Sequence, residues 1–375
     1  MNNKFFPSNF LFILIMIMGT LTTLSSSHWL TMWMGLELNL MGFLPLMNIK
    51  GKMLEAEASM KYFIIQSLGS SVLIISSLIM YNYSLSWHSM FNSNLSILLI
   101  LSLILKLGGA PMHFWLPNLT KQMTWLILFL ILTWQKLAPL FMIMLINSNL
   151  NTIIVISLLS AVFGSISMLN QTNMQLIITY SSISHLGWML SMIMLNSSLT
   201  FLYFIVYIII SIPLLNLLST QTSNYLYSLT HKNKINNLII PSLILSLAGM
   251  PPLLGFLSKL LMLISLMKMN FIILTLFMFI ASLISLYFYL SMTLMTIIKS
   301  YYLFNNYTTT KPYNFIIMIN LFSIFIFYFM INTMNIYAMI ILNKSQSYWN
   351  IMFHFWYLIS FISHLAKINN SKSVG

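Results

Sequence analysis

Apolar residues run along this chain in blocks of helical length, with almost none of the one-on, one-off alternation of a strand. The blocks fall at about 5–24, 28–48, 57–81, 94–107, 123–146, 151–170, 174–195, 199–220, 238–260, 270–298 and 313–343. Most are apolar all round, the pattern of helices that face lipid or fill a bundle core. About 20 apolar residues cross one bilayer, so the pattern predicts an all-α, polytopic integral membrane protein with about eleven transmembrane helices. The connections are short. The longest, 82–93, 221–237 and 299–312, carry the Asn, Ser, Thr and Lys expected of loops. One integral domain, 1–343, is expected, with a C-terminal extension over 344–375. In that extension Trp349 to Ala366 is aromatic and apolar, with His354 and His364. It reads as a short twelfth span or a helix lying in the interface, and the interfacial reading is preferred. The first block follows Lys4 as a secretory signal would, but no A-x-A-like cleavage site comes after it. It reads as a plain first span.

Composition strengthens this picture. Of 375 residues, 59% are apolar and 5% charged, against about 25% charged in an ordinary soluble domain. Too little polar side chain exists to cover a water-facing surface. There is no Cys, which excludes disulfide frameworks, Cys-ligated zinc or iron–sulfur clusters, and a cysteine nucleophile. No G-x-x-x-x-G-K-[ST] or G-x-G-x-x-G run occurs, so nucleotide binding by those routes is unsupported. The net charge of +13 comes entirely from lysines, with Glu37, Glu55 and Glu57 as the acids. The lysines are scattered rather than gathered in a stripe, so no nucleic acid is expected as a partner. With the N-terminus inside, the inner connections carry Lys4, Lys50, Lys52, Lys121, Lys232, Lys234, Lys299 and Lys311. The outer ones carry Lys268, plus Lys344 after the last span. That asymmetry orients the N-terminus toward matrix or cytoplasm. Met, Ile, Asn, Lys, Phe and Tyr are over-used as A/T-rich codons would dictate, so the 32 Met residues read as drift among apolar side chains.

Four charges cannot be read as flanks. Glu37 lies inside the second block, Lys106 ends the fourth, Lys136 sits in the middle of the fifth, and Lys259 lies near the far end of the ninth. An ionisable group in hydrocarbon costs several kcal/mol, about 2.5–3.5 on the lenient scale, unless it faces the bundle interior, pairs, or touches water. One acid cannot neutralise three lysines. A lysine shielded from water can gain and lose a proton, and a carboxylate moved toward or away from it switches it between holding and releasing. These four residues are therefore candidates for a proton relay that needs no redox centre. A central Lys136 must be shielded from both sides, whereas Lys259 should see more water. Lys61, near Glu55 and Glu57, reads as a flanking residue that snorkels. His185 is a weaker relay candidate, mid-span, with Ser181 and Ser182 on its helical face. His113, in the broken stretch Gly108-Gly109-Ala110-Pro111-Met112-His113, reads first as a loop-packing residue.

The breaks carry their own signal. Leu107-Gly108-Gly109-Ala110-Pro111 ends the fourth span, and Leu247-Ala248-Gly249-Met250-Pro251 lies inside the ninth. Both read L-x-G-x-P. Breaks placed alike in two halves point to an inverted-repeat transporter, with spans one to five and six to ten as two inverted five-helix repeats and discontinuous helices at spans four and nine.

Six stretches carry a resemblance: 33–48 (WMGLELNLMGFLPLMN), 55–62 (EAEASMKY), 105–117 (LKLGGAPMHFWLP), 133–139 (TWQKLAP), 179–190 (TYSSISHLGWML) and 247–259 (LAGMPPLLGFLSK). In this order they resemble the animal mitochondrial NADH dehydrogenase subunit 2 family, antiporter-like membrane subunits of respiratory complex I. The resemblance covers about 1–343. It implies that Glu37 is the family's intramembrane glutamate, Lys106 its paired lysine, Lys136 the central lysine and Lys259 the lysine near the outlet. It further implies proton translocation across the mitochondrial inner membrane and partners among the other membrane-arm subunits, a neighbouring antiporter-like subunit included. NADH, FMN, iron–sulfur clusters and ubiquinone would be held by partner subunits, with no cofactor on this chain. A cation/proton antiporter subunit of the same ancestry is the second reading, and a scaffold whose lysines only hold helices together is the third.

The lysine asymmetry gives a direct test of orientation. The 221–237 connection is expected to be cleaved by protease only from the matrix side, measured in intact and opened mitoplasts. Cleavage from the intermembrane side overturns the N-inside topology.

Overall fold

The apolar blocks become helices because hydrocarbon offers the backbone no hydrogen-bond partner, so each segment must satisfy its own N–H and C=O groups. The computed structural model describes residues 7–49, 51–84, 92–146, 150–193, 195–220, 234–251 and 253–302. They form α1 (Pro7–Ser25), α2 (Trp29–Met47), α3 (Met53–Ser84), α4 (Asn92–Leu107), α5 (Trp115–Thr120), α6 (Trp125–Leu132), α7 (Trp134–Leu145), α8 (Leu150–Met168), α9 (Met174–Ile193), α10 (Ser197–Ser219), α11 (Lys234–Ala248), α12 (Leu254–Lys268) and α13 (Ile272–Tyr302). Among the described residues eight segments are long and apolar enough to cross a membrane, with α6 and α7 counted as one, Trp125–Leu145. Ser96–Leu107 and Ile239–Ala248 are shorter apolar helices. These two belong to the fourth and ninth spans, the ones expected to be discontinuous. The eleventh block, 313–343, and the extension 344–375 with Trp349, His354 and His364 lie outside the described residues, as do Lys4, Lys50, Lys232, Lys311 and Lys344.

Burial grades the bundle from rim to centre. The α1 span is 22% buried and the α9 span 83%. Outward-facing side chains such as Phe10, Leu14, Leu30 and Ile273 are exposed and apolar, as a lipid-facing rim requires. The hydroxyls are consumed locally. Ser157 donates to the Ile154 carbonyl (2.8 Å), Ser160 to Ser157 (3.0 Å) and Ser182 to Thr179 (2.7 Å), so small polar residues sit in the bundle without water.

At the centre α8 and α9 touch backbone to backbone. A Cβ added at Gly187 would lie 2.7 Å from the Ala161 nitrogen and 2.8 Å from the Ser157 oxygen, and one at Gly164 would lie 2.6 Å from the Ser184 nitrogen. Glycine on both sides of the crossing permits this approach, the small-residue packing of membrane helices.

Three boundaries depart from the sequence reading. The third span starts at Met53, not 57, and runs to Ser84. The fifth, expected to be continuous over 123–146, is interrupted at Thr133 (φ −116°, ψ −72°). There the Thr133 hydroxyl donates to the Phe129 carbonyl (2.7 Å), and Pro139, which has no N–H, denies the Gln135 carbonyl its helical partner. The ninth span does not end near 260: the chain leaves the helix after Ala248 and re-enters at Leu254, so α12 extends to Lys268. Lys259 therefore sits in the early part of a helix rather than near its far end. The cause is Gly249 in the left-handed region (φ +83°) followed by Pro251.

Substituting Gly187 by Ala forces α8 and α9 apart against backbone atoms that cannot yield. Overpacking of this kind costs about 1–3 kcal/mol, so the assembled protein is expected to unfold at a lower temperature, read from detergent-solubilised thermal melts. An unchanged melt would show that the crossing has room to spare.

Candidate functional site

Each of the two breaks ends a helix by the same device. After α4, Gly108 takes φ +71°, its N–H reaches the Leu105 carbonyl (3.3 Å) and the Gly109 N–H reaches Ile104 (3.1 Å). After α11, Gly249 takes φ +83°, its N–H reaches Ser246 (3.2 Å) and the Met250 N–H reaches Leu245 (3.2 Å). Both are Schellman caps, for which a left-handed glycine is the cheapest solution. The equivalent glycines are Gly108 and Gly249, one position out of step in the shared L-x-G-x-P pattern.

Carbonyls left open at these ends recruit side chains. In α4 the Leu105 carbonyl also accepts from the Trp115 indole (3.0 Å), and the Lys106 carbonyl accepts from Gln66 of α3 (3.2 Å). In α11 the Ala248 carbonyl accepts from Lys259 Nζ (2.8 Å), a cation placed at the negative end of a helix. Both lysines lie across a glycine. A Cβ at Gly69 would lie 3.0 Å from Lys106 Cγ, and one at Gly249 3.0 Å from Lys259 Cδ and 3.3 Å from its Nζ.

All four candidate charges lie within the bundle. Lys136 is 1% exposed, Lys106 6% and Lys259 8%. Glu37 is half-buried; its Oε1 is shielded and has no hydrogen-bond partner. Lys106 feels the Glu37 charge, yet the two do not come within 4 Å as an ion pair among the described residues. Lys136, just past the Thr133 interruption, donates to the Ser182 carbonyl of α9 (3.1 Å). His185 lies on the same helix, within electrostatic reach of both Lys136 and Lys259. Its Nδ1 shares a hydrogen bond with the Tyr203 hydroxyl (2.7 Å), and its ring packs 5.2 Å from that of Tyr207. His185, Tyr203, Tyr207, Ser246, Gly255 and Ser258 border a cavity of about 10 Å³, the room one water occupies. The Tyr207 hydroxyl at this cavity is buried without a partner.

The structure thus brings Lys136 and His185 together between α7 and α9, while Lys106 stands at the first break within electrostatic reach of Glu37. Lys259 stands at the second break. Two lysines are held by neutral carbonyls rather than by carboxylates. A neutral amine donates to a carbonyl as an ammonium does, so the proton can leave without stranding a buried acid. The serines expected beside His185 do not bind it: Ser181 and Ser182 donate to Ile178 and Thr179. Its partner Tyr203 is eighteen residues on, on α10, and no local sequence signal sets it apart from the other tyrosines. His113 stacks on Phe114 (4.4 Å) and lies 6.1 Å from Phe163, a packing role. Lys61 pairs with Glu57 at an exposed edge.

Comparison with known proteins shows the family of the chain as a whole. The family described as NADH:quinone oxidoreductase/Mrp antiporter, transmembrane, matches residues 26–285. The chain is 41% identical over 295 residues to NADH-ubiquinone oxidoreductase chain 2 of Anopheles gambiae, covering 76% of this chain and 85% of that one. It is similar in fold to a chain of respiratory complex I from Thermus thermophilus, with a TM-score of 0.70 and 24% identity over 77% of this chain and 70% of that one. It is also similar to a chain of the Mrp complex from Dietzia sp., with a TM-score of 0.67 and 16% identity over 80% and 60% of the two chains.

Gly249→Ala tests the second cap. A left-handed non-glycine residue costs about 1–2 kcal/mol, and the added methyl presses on the Lys259 stem. The variant is expected to melt below the parent, while Gly51→Ala, which has no atom within 4 Å, bears only the backbone cost. Equal losses for the two would show that the Lys259 contact contributes nothing.

Proposed function

Because the chain belongs to the NADH:quinone oxidoreductase/Mrp antiporter transmembrane family, we propose that Glu37, Lys106, Lys136, His185 and Lys259 carry protons through it. In this reading it is a core membrane subunit of an NADH:ubiquinone oxidoreductase. Electrons pass from NADH to ubiquinone in partner subunits, which hold the NADH, FMN, iron–sulfur clusters and quinone. The partners are the other subunits of the membrane arm, a neighbouring antiporter-like subunit among them. The site is the mitochondrial inner membrane with the N-terminus in the matrix. Residues 1–343 are the translocating domain, built as two inverted five-helix halves, and 344–375 an extension at the interface.

The observation that carries this reading is that three lysines sit within an apolar bundle, with the half-buried Glu37 carboxylate within electrostatic reach of one of them, Lys106. A purely structural charge would be matched by an opposite charge, because an unpaired ion in hydrocarbon is costly. Lys136 and Lys259 instead rest on carbonyls, which serve either protonation state. A signal from quinone reduction moves Glu37 relative to Lys106. The changed field alters the hold of Lys136 on its proton, His185 passes it on, and Lys259 delivers it toward the outlet. A cation/proton antiporter subunit is the second reading, favoured by the same family description. Co-purification separates them: flavin and iron–sulfur absorbance in the isolated assembly supports the oxidoreductase.

The test is proton flux per NADH oxidised in reconstituted vesicles. Lys136→Met keeps the length and removes the titrating group, and is expected to reduce flux at least about tenfold, the scale of a lost essential proton step. Lys259→Arg keeps a charge that cannot be released and is expected to block flux while the complex assembles. Glu37→Ala is expected to lower both flux and NADH oxidation in assembled complex. A silent Lys259→Arg beside a dead Lys136→Met makes Lys259 a fixed field; two silent lysine variants end the relay reading.

A further inference from the structure

Beside the titrating groups runs a set of polar side chains that do not titrate near neutrality. Asn39 Nδ2 donates to Gln135 Oε1 (2.8 Å), and Gln135 Nε2 donates back to Asn39 Oδ1 (3.2 Å). Two antiparallel hydrogen bonds thus close an amide pair between α2 and α7. The Tyr62 hydroxyl of α3 donates to the same Gln135 oxygen (3.4 Å). Asn39 and Tyr62 are each 3% exposed. Each amide lies ten residues beyond the first residue of its span, counting from Trp29 and from Trp125, so the pair forms near the middle of the hydrocarbon. An amide there must find a partner, and a partner that returns both bonds fixes distance and rotation together.

The sequence neighbours give the pair its meaning. Asn39 is two residues past Glu37, and Gln135 immediately precedes Lys136. Two residues turn a helix by about 200°, so Asn39 leaves α2 on the side away from Glu37. One helix thereby carries its amide to α7 and, on another side, a carboxylate within electrostatic reach of Lys106. Tyr62 extends the tie. Its ring meets Phe43 of α2 edge-on at 5.4 Å and Trp115 of α5 at 6.0 Å. The Trp115 indole holds the Leu105 carbonyl, and Gln66, one turn along α3 from Tyr62, holds the Lys106 carbonyl.

We propose that the Asn39–Gln135 amide pair, with Tyr62, is a positioning strut that sets the spacing of the helices carrying Glu37 and Lys136 and registers both to the α4 end carrying Lys106. Its consequence for transport rests on the relay reading above. The strut itself carries no proton. It converts displacement of α2 into displacement of α7, just past the interruption at Thr133.

Asn39→Leu and Gln135→Met remove the amides at nearly constant volume. In assembled complex each is expected to lower protons per NADH about twofold or more, with electron transfer from NADH to an artificial acceptor unchanged. The double variant is expected to be no worse than either single one, because partners in one bond pair are not additive. The reciprocal exchange Asn39→Gln with Gln135→Asn preserves the pair and is expected to restore the ratio. An unchanged ratio in the single variants overturns the proposal, as does a loss confined to the amount of assembled complex. Additive losses, or an exchange no better than the singles, overturn it as well. Should the singles fail to assemble, the exchange variant decides: recovery of assembly and ratio together supports the strut, and failure to recover removes it. Lys136→Met is measured alongside. If it stops flux while the amide variants do not, the strut alone fails; if it too is silent, the relay reading has failed and the strut has nothing to position.

Discussion

Hydrocarbon leaves every backbone group to find its partner within the protein, and the structure depends on how that demand is met where a helix stops. A continuous span meets it internally. At the α4 and α11 ends the last carbonyls face the bundle interior without a following turn. Glycine in the left-handed region closes part of the gap, and Trp115, Gln66 and Lys259 close the rest. The positions where a backbone breaks are thus where polar side chains become affordable inside the membrane, and Lys106 and Lys259 stand there.

The two breaks are related without being copies. At the first, the lysine belongs to the helix that ends, and neutral side chains occupy the open carbonyls. At the second, the lysine belongs to the helix that begins and reaches back across Gly249 to the carbonyl of Ala248. One lysine is left available to a carboxylate; the other is committed to a carbonyl. A difference of this kind gives the proposed relay its direction, because the first lysine answers to the Glu37 charge and the last to a helix dipole.

Much of this was legible from residue type and spacing. Charges within apolar runs, and Gly-Pro breaks, are loud signals in a chain with so few polar residues, so Glu37, Lys106, Lys136, Lys259 and both discontinuities could be read directly. The Thr133 interruption was not, because its cause is a hydroxyl and a proline six residues on, within a run that stays apolar throughout. Nor could the partners of His185 and Lys136 be read. Tyr203 is one aromatic among many, and the acceptor for Lys136 is the main chain of Ser182, an atom every residue possesses. The Asn39–Gln135 pair spans 96 residues of sequence, and nothing local announces it.

The glycine crossing of α8 and α9 has a kinematic consequence. With so little space at Gly164 and Gly187, the crossing leaves no room for a side chain between the two backbones. The Ser182 carbonyl and His185 lie on α9, one member of that crossing pair. The other side of the Lys136 contact is α7, which begins just after the interruption at Thr133 and contains Pro139. In the proposed relay, movement at this contact falls to the lysine on α7, beside an acceptor on the closely packed α8–α9 pair.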